Sequence, residues 1–218
     1  ETVVITEPIL LTSSTDSSNF NGFGVRCNGY TDGWIDVSVT GEVPPYTYLW
    51  TGPSGYTSSQ DSIFDLGEGA YTCIVTDANN CTTTEEVTIT ESDSVTSSAF
   101  SSNSSTWNGF QIQCNGSSNG EITLSVDGGV ISHPYDYFLD GVPNSPISDS
   151  IFASLSAGTY TVEAEDANGC TTSNIVTLIE PSAVTDSTNS SDWNGFGVRC
   201  NGDTDGWIDL TVTGGVPG

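Results

Sequence analysis

Six cysteines and one histidine are the residues of this chain best suited to bond a metal, a substrate or each other. Cys27 with Cys81, and Cys114 with Cys170, occupy equivalent places in two copies of a repeat, and pairing within each copy would close loops of about 55 residues, worth roughly 4 kcal/mol in the chain-entropy account. Cys200 repeats the position of Cys27 and Cys114, so its partner is expected outside the sequence. Cys73 aligns with Val162 and is expected to be a small buried residue with an inert thiol. No cysteine pair has CxxC spacing and His133 stands alone, which disfavours a metal centre. Nucleophilic catalysis needs a base beside the nucleophile, and the first copy holds no histidine. The acidic residues fall in turns or on exposed strand faces, without the convergent pairs that glycoside hydrolysis requires. No enzymatic activity is expected.

Oxygen ligands give calcium a stronger argument. Asp203, Asp205 and Asp209 in "DTDGWID", and the "DANN" of 77–80, offer hard donors of the kind Ca²⁺ takes. Asp-Gly and Asp-Ala-Asn are equally ordinary turn sequences, and the middle copy reads "SSNGEIT" instead. Calcium is a candidate through Asp203, Asp205 and Asp209, and no other cofactor is expected.

The elements that must position these residues are set by repetition. "NGFGVRCNG" at 21–29 returns letter for letter at 194–202, with "NGFQIQCNG" at 108–116 between them, giving offsets of 87 and 86 residues. The match continues through "TDGWIDVSVTG" and "TDGWIDLTVTG", "PYTYLW" and "PYDYFL", "LGEGAYTCIVTDANNC" and "LSAGTYTVEAEDANGC". "TVVITE" at 2–7 reads as the tail of a preceding copy, and the final "TGGVPG" stops inside a repeat, so a window on a longer array is expected. The organisation reads as 1–8, the last strand of an upstream repeat; 9–91, repeat 1 with a Ser/Thr-rich lead-in at 9–19; 92–180, repeat 2 with a lead-in at 92–106; and 181–218, a truncated repeat 3.

Within each copy, apolar residues alternate with polar ones at the period of a strand. Ile35, Val37 and Val39 share one face, matched by Ile122, Leu124 and Val126 and by Ile208, Leu210 and Val212. Tyr71, Cys73 and Val75 match Tyr160, Val162 and Ala164. No helical stripe is present. About seven short strands in some 87 residues predict an all-β chain of tandem Ig-like β-sandwiches, with "DANN" and "DANG" turning the last two strands into a hairpin. The Ser/Thr-rich lead-ins read either as solvated linkers or as segments along a sandwich edge.

Charge narrows the partners. The 28 acidic residues against two arginines give a net charge of −26. Nucleic-acid binding through phosphates needs clustered Lys and Arg, and anionic lipid surfaces would repel such a chain. No stretch approaches the roughly 20 apolar residues of a membrane helix, so no membrane insertion is expected. Cysteines in a lysine-free, Ser/Thr-rich chain suggest an oxidising, extracellular setting.

Arg26 and Arg199 precede cysteines that should point inward, so both should point outward, as should Trp34 and Trp207 on the next strand. In the middle copy these positions change together, to Gln113 and Glu121. Stacking of each Arg on its Trp is one reading; contact of the Trp with a neighbouring repeat or partner is the other.

In combination, these motifs resemble the SprB-type repeat of gliding-motility surface adhesins. The resemblance spans nearly all of both complete copies and the stub of the third. It implies a β-sandwich repeat in a very long protein exported by type IX secretion to the surface of gliding bacteria, with a structural and adhesive role. The implied partners are neighbouring repeats, other copies in a filament, and surface glycans or substratum. A glycan-binding or Ca-stabilised β-sandwich module of a secreted protein is the alternative. The same bacterial setting implies O-glycosylation at Asp-Ser sites, for which Ser62, Ser94, Ser150 and Ser187 are candidates. His133 lies in a two-residue insertion before "PYDY", a departure from the repeat pattern.

Overall fold

The computed structural model describes residues 2–41, 43–101, 108–131 and 134–216. His133 lies outside them. The first copy forms β1 (Thr12–Ser17), β2 (Gly33–Thr40), β3 (Thr47–Thr51), β4 (Thr57–Ser58), β5 (Ser62–Leu66), β6 (Gly69–Thr76) and β7 (Thr82–Ile89). The second repeats the pattern with β8 (Thr96–Ser101), β9 (Gly120–Asp127), β10 (Asp136–Leu139), β11 (Val142–Pro143), β12 (Ile151–Leu155), β13 (Gly158–Glu165) and β14 (Thr171–Leu178). The third contributes β15 (Thr185–Ser190) and β16 (Ile208–Thr213). Among the described residues there is no α-helix, in keeping with the all-β, Ig-like sandwich the alternation predicts.

The chain divides into two compact units. Unit 1 comprises Glu1–Ser97, Val126–Asp136 and Ala164–Thr172, and unit 2 comprises Ser98–Ser125, Tyr137–Glu163 and Ser173–Gly218. In unit 1 a sheet ordered β1-β2-β5 and a sheet ordered β4-β3-β6-β7 share one core. Ile35 and Val37 from the first sheet meet Trp50, Tyr71, Cys73 and Val75 from the second, with Val25, Ile63, Leu66 and Ile89. Period-2 alternation puts these side chains inside and leaves Asp36 and Ser38 facing out. Trp50 is fully buried, and its indole Nε1 donates to the carbonyl of Gln60 at 2.9 Å, which satisfies the polar end of that ring. Cys73 lies opposite Trp50 in the β3–β6 register.

The second copy builds its sheets in the same order, β12-β9-β8 and β11-β10-β13-β14. Ile122, Leu124, Phe152, Val162 and Leu178 are buried at the equivalent positions. In the third copy the face of Ile208, Leu210 and Val212 is exposed, and among the described residues the two-stranded β15-β16 ribbon has no second sheet over it.

The lead-ins are strands over part of their length. β1 pairs along its full length with β2, from Thr12 opposite Thr40 to Ser17 opposite Ile35, and β15 pairs with β16 in the same way. The solvated-linker reading therefore gives way to the sandwich-edge one at 12–17 and 96–101, while 185–190 is one strand of the two-stranded ribbon. Residues 102–107 of the second lead-in lie outside the described residues.

The Gly of "TDGW" has a packing reason. A Cβ on Gly33 would lie 2.7 Å from the Leu66 carbonyl, and one on Gly120 would lie 2.9 Å from that of Leu155. Glycine here lets β2 and β9 approach the neighbouring strand.

Candidate functional site: a loop and a turn

Each copy opens with a loop of fixed shape. In the first, Phe20 and Phe23 exchange backbone hydrogen bonds, and Asn21 adopts φ of 51°, a region Asn tolerates better than most residues. Gly22 N donates to Asn19 Oδ1 at 2.7 Å. Gly24 N and Val25 N both donate to the Thr90 carbonyl, just past the end of β7. Asn28 Nδ2 donates to Glu91 Oε1 at 2.9 Å and to Ser92 O at 3.0 Å, while Gly29 N donates to Glu91 Oε2 at 2.7 Å. The second copy repeats the arrangement: Gln111 N and Ile112 N donate to Ile179 O, Asn115 Nδ2 to Glu180 Oε1 at 2.9 Å, and Gly116 N to Glu180 Oε2 at 2.7 Å. "CNG" and the terminal Glu of each repeat are two halves of one closure.

The second part is the hairpin turn between the last two strands. Asp77 Oδ1 accepts from Asn79 N at 2.9 Å and Cys81 N at 2.8 Å. Asp166 Oδ1 accepts from Asn168 N and Cys170 N, both at 2.9 Å, and its Oδ2 accepts from Val130 N at 2.8 Å. The carboxylate folds its own turn, as expected of an Asx motif.

Within unit 1, loop and turn meet. Cys27 and Cys170 form a disulfide with Cα atoms 5.7 Å apart. Asn21 Nδ2 donates to Asn168 Oδ1 at 2.6 Å. Asn168 Nδ2 in turn donates to the carbonyls of Phe20 at 3.1 Å and Arg26 at 3.0 Å. A cleft of about 150 Å³ bordered by Tyr30, Val95 and the disulfide remains beside the contact; drug-sized ligands occupy about 300 Å³ or more.

This overturns the expected pairing. Cys27 is not bonded to Cys81, nor Cys114 to Cys170; Cys73, Cys81, Cys114 and Cys200 are free thiols. The reason is geometric. The opening loop is hydrogen-bonded at the C-terminal end of β7, whereas Cys81 immediately precedes its N-terminal end. Eight strand residues span about 26 Å, far beyond the roughly 7 Å limit on Cα separation in a disulfide. The same holds for Cys114 and Cys170 across β14. Cys73 is fully buried, and burial is the main force that pushes its thiol up to about 11 from 9.0.

The aromatic partners of the arginines also differ from expectation. The guanidinium of Arg26 lies 5.3 Å from the Phe20 ring centroid and that of Arg199 lies 4.3 Å from that of Trp193. Both Arg side chains reach back along their own loop, not across to Trp34 or Trp207, because Asp32 and Asp205 hold them there at 3.7 and 3.6 Å. In the middle copy the side-chain contact is neutral, with Asn119 Nδ2 donating to Gln113 Oε1 at 3.4 Å. Trp34 is half-buried and lines a shallow depression with Asp16, Asp36, Ser62 and Phe64; Trp207 is exposed.

Among the described residues no group of three or more His, Cys, Asp or Glu is placed to hold a metal ion. Asp205 is committed to Arg199, and Asp209 lies in β16 opposite Asn189. Of the Asp-Ser serines, Ser94 and Ser187 are exposed, Ser150 is partly covered, and the Ser62 hydroxyl donates to Asp36 at 2.5 Å. Sequence reasoning placed the cysteines in equivalent positions but missed Asn21, Asn168 and the Asn28–Glu91 closure. The recurrence of "NG", "DAN" and "TE" at each period is the signal that could have found them.

Among curated proteins nothing matches the chain. Solved structures that align with it include murine CEACAM1b, at 13% identity and a TM-score of 0.31, covering 69% of this chain and 92% of that one. The N-terminal eight Ig domains of Down Syndrome Cell Adhesion Molecule isoform 1.30.30 align at 12% identity and a TM-score of 0.29, covering 81% of this chain, which spans 29% of theirs. The SprB repeat family matches three times, at residues 25–55, 111–144 and 198–218. Each match begins in an opening loop, one period after the last, so the chain carries three stretches similar to the SprB repeat.

Proposed function

We propose that this chain is a shaft segment of a long extracellular surface adhesin, supporting adhesion and gliding by holding a distal region away from the cell. The observation that carries the reading is the Cys27–Cys170 bond, which ties the opening loop of one copy to the terminal turn of the next. Stability in tandem arrays depends on terms between neighbours, and a covalent term there suits a protein that transmits load. The family resemblance supports the surface setting, as does the acidic, lysine-free composition. Antibodies raised against this chain, applied to intact cells of the source organism, test the reading. Gold label spread along surface filaments, with slowed gliding or weaker attachment, is the expected result; label confined to the cell interior would end the proposal.

The depression containing Trp34 favours a second reading, glycan contact, since an aromatic ring flanked by Asp16 and Asp36 can stack on a sugar while the acids accept from its hydroxyls. Glycan binding by the intact chain that is lost in Trp34→Ala would support it.

A further inference from the structure

We propose that the Cys27–Cys170 bond is a mechanical stop: tension along the chain loads the edge strands β1 and β14, passes between them through the bond, and leaves residues 28–169 off its path. This rests on reading the chain as a load-transmitting segment of a shaft.

Connectivity sets the path. The bonded residues are 143 apart in sequence. A pull applied from outside them reaches Cys27 through β1 and its loop, crosses the bond, and leaves from Cys170 into β14. Strands β2 to β13 lie inside the bridged stretch. So do Ile35, Trp50, Cys73 and Val75 of the first core, and Ile122, Leu124 and Val162 of the second copy. Without the bond the same pull would run through all of these strands in series and draw the cores apart.

The loaded strands suit the task. Each stands at the edge of its sheet, in the orders β1-β2-β5 and β11-β10-β13-β14, so each has one ladder to lose. β1 is "TSSTDS", and none of its residues belongs to the core cluster. Detaching it exposes backbone and hydroxyls that water can satisfy, with little apolar area. What holds β1 is polar: its pairing with β2, and Ser13 Oγ, which donates to Glu85 Oε1 at 2.6 Å and lies 3.2 Å from Thr83 Oγ1. The loop that follows is fastened to the core itself. Ser18 Oγ donates to Gly24 O, Gly24 N and Val25 N donate to the Thr90 carbonyl, and Val25 is fully buried. Rising tension should strip β1 first, and the bond should arrest unravelling at Cys27.

The test stretches single molecules of the 218-residue chain by enzymatic tags at its two ends. Cys81→Ser, Cys114→Ser and Cys200→Ser leave only the bonded pair and Cys73. An extended chain spans about 3.5 Å per residue, so opening the bond with reductant should lengthen the fully stretched molecule by about 500 Å. That measurement keeps both bonded cysteines, so it stands even where a further serine variant fails to fold. A maleimide dye then reads exposure of Cys73, which is fully buried in the first core. Without load, Cys73 should stay unlabelled in the oxidised chain and in the same chain carrying Cys170→Ser, which shows both to be folded. Under the tension that stretches the Cys170→Ser chain, Cys73 should be labelled there and remain unlabelled in the oxidised chain. Equal stretched lengths before and after reductant would overturn the inference. So would labelling of Cys73 in the oxidised chain at the tension that labels the Cys170→Ser chain. Either failure leaves the surface setting untouched, which the antibody label on intact cells tests separately.

Discussion

Asn28 and Glu91, at opposite ends of the first copy, meet at 2.9 Å, and the same meeting recurs between Asn115 and Glu180. This pair takes the role the sequence suggested for an intra-repeat disulfide. Glu91 also accepts from Gly29 N, so Glu91→Ala leaves two donors without their charged acceptor. The expected cost is about 2 kcal/mol, read as a lowered urea midpoint. Glu180→Ala should cost a similar amount, and a midpoint unchanged by either substitution would show that the ends are held by the strand contacts alone.

Cys73 gives a prediction on the alkaline side. Its thiol is raised to about 11, chiefly by burial, with a backbone hydrogen bond from Leu49 acting the other way. Burial also raises Tyr48, Tyr71 and Tyr135. A group whose folded value lies above its unfolded one keeps its full contribution below the unfolded value and loses it as pH rises through the folded one. Stability should therefore hold up to about pH 9 and fall between about pH 9 and 11. At pH 8 an alkylating reagent should modify Cys81, Cys114 and Cys200 and spare Cys73 until the chain unfolds. Val162 fills the equivalent buried position, so Cys73→Val should stay within about 1.5 kcal/mol of the parent while flattening the alkaline fall.

The sandwich was legible because its signals are local. Alternation through Ile35 and Val37, or Tyr71, Cys73 and Val75, decides which face is buried before any strand is paired. The cysteine pairing was not legible, because equivalence between copies says which residues share a role and not which ones meet. Cys27 and Cys81 bracket a repeat in sequence, yet β7 holds them at opposite ends of a strand. Arg26 was read against Trp34, one strand away, when the nearer aromatic was Phe20 in its own loop. The Ser/Thr-rich lead-ins hid strands because β1 has hydroxyls where a core strand has apolar groups, and its register is visible only against β2.

Ser92 carries a polar atom with no partner. It is 3% exposed, and its hydroxyl makes no hydrogen bond. The second copy has Pro181 at this position, and "EP" also occurs at 7–8. Ser92→Pro removes the unsatisfied hydroxyl and restricts the unfolded chain, while the Ser92 carbonyl that accepts from Asn28 is retained. A gain of about 1 kcal/mol is expected, seen as a higher melting temperature. A loss would mean that the backbone at 92 departs from the geometry proline requires.

The Cys27–Cys170 bond joins residues 143 apart in sequence. A crosslink closing so long a loop contributes about 5 kcal/mol in the chain-entropy account, and the asparagine contacts beside it add a smaller share. Reductant should therefore lower the melting temperature of the parent chain. It should not change that of Cys170→Ser, whose melt should already match the reduced parent. Asn168→Ala retains both cysteines but loses the contacts to Asn21, Phe20 and Arg26. Under oxidising conditions it should melt between the parent and Cys170→Ser, and its bond should be reduced faster, because the turn is no longer held against the loop once the sulfurs part. Equal reduction rates for Asn168→Ala and the parent would mean that the sulfur bond alone holds the two pieces together, with the asparagines as bystanders.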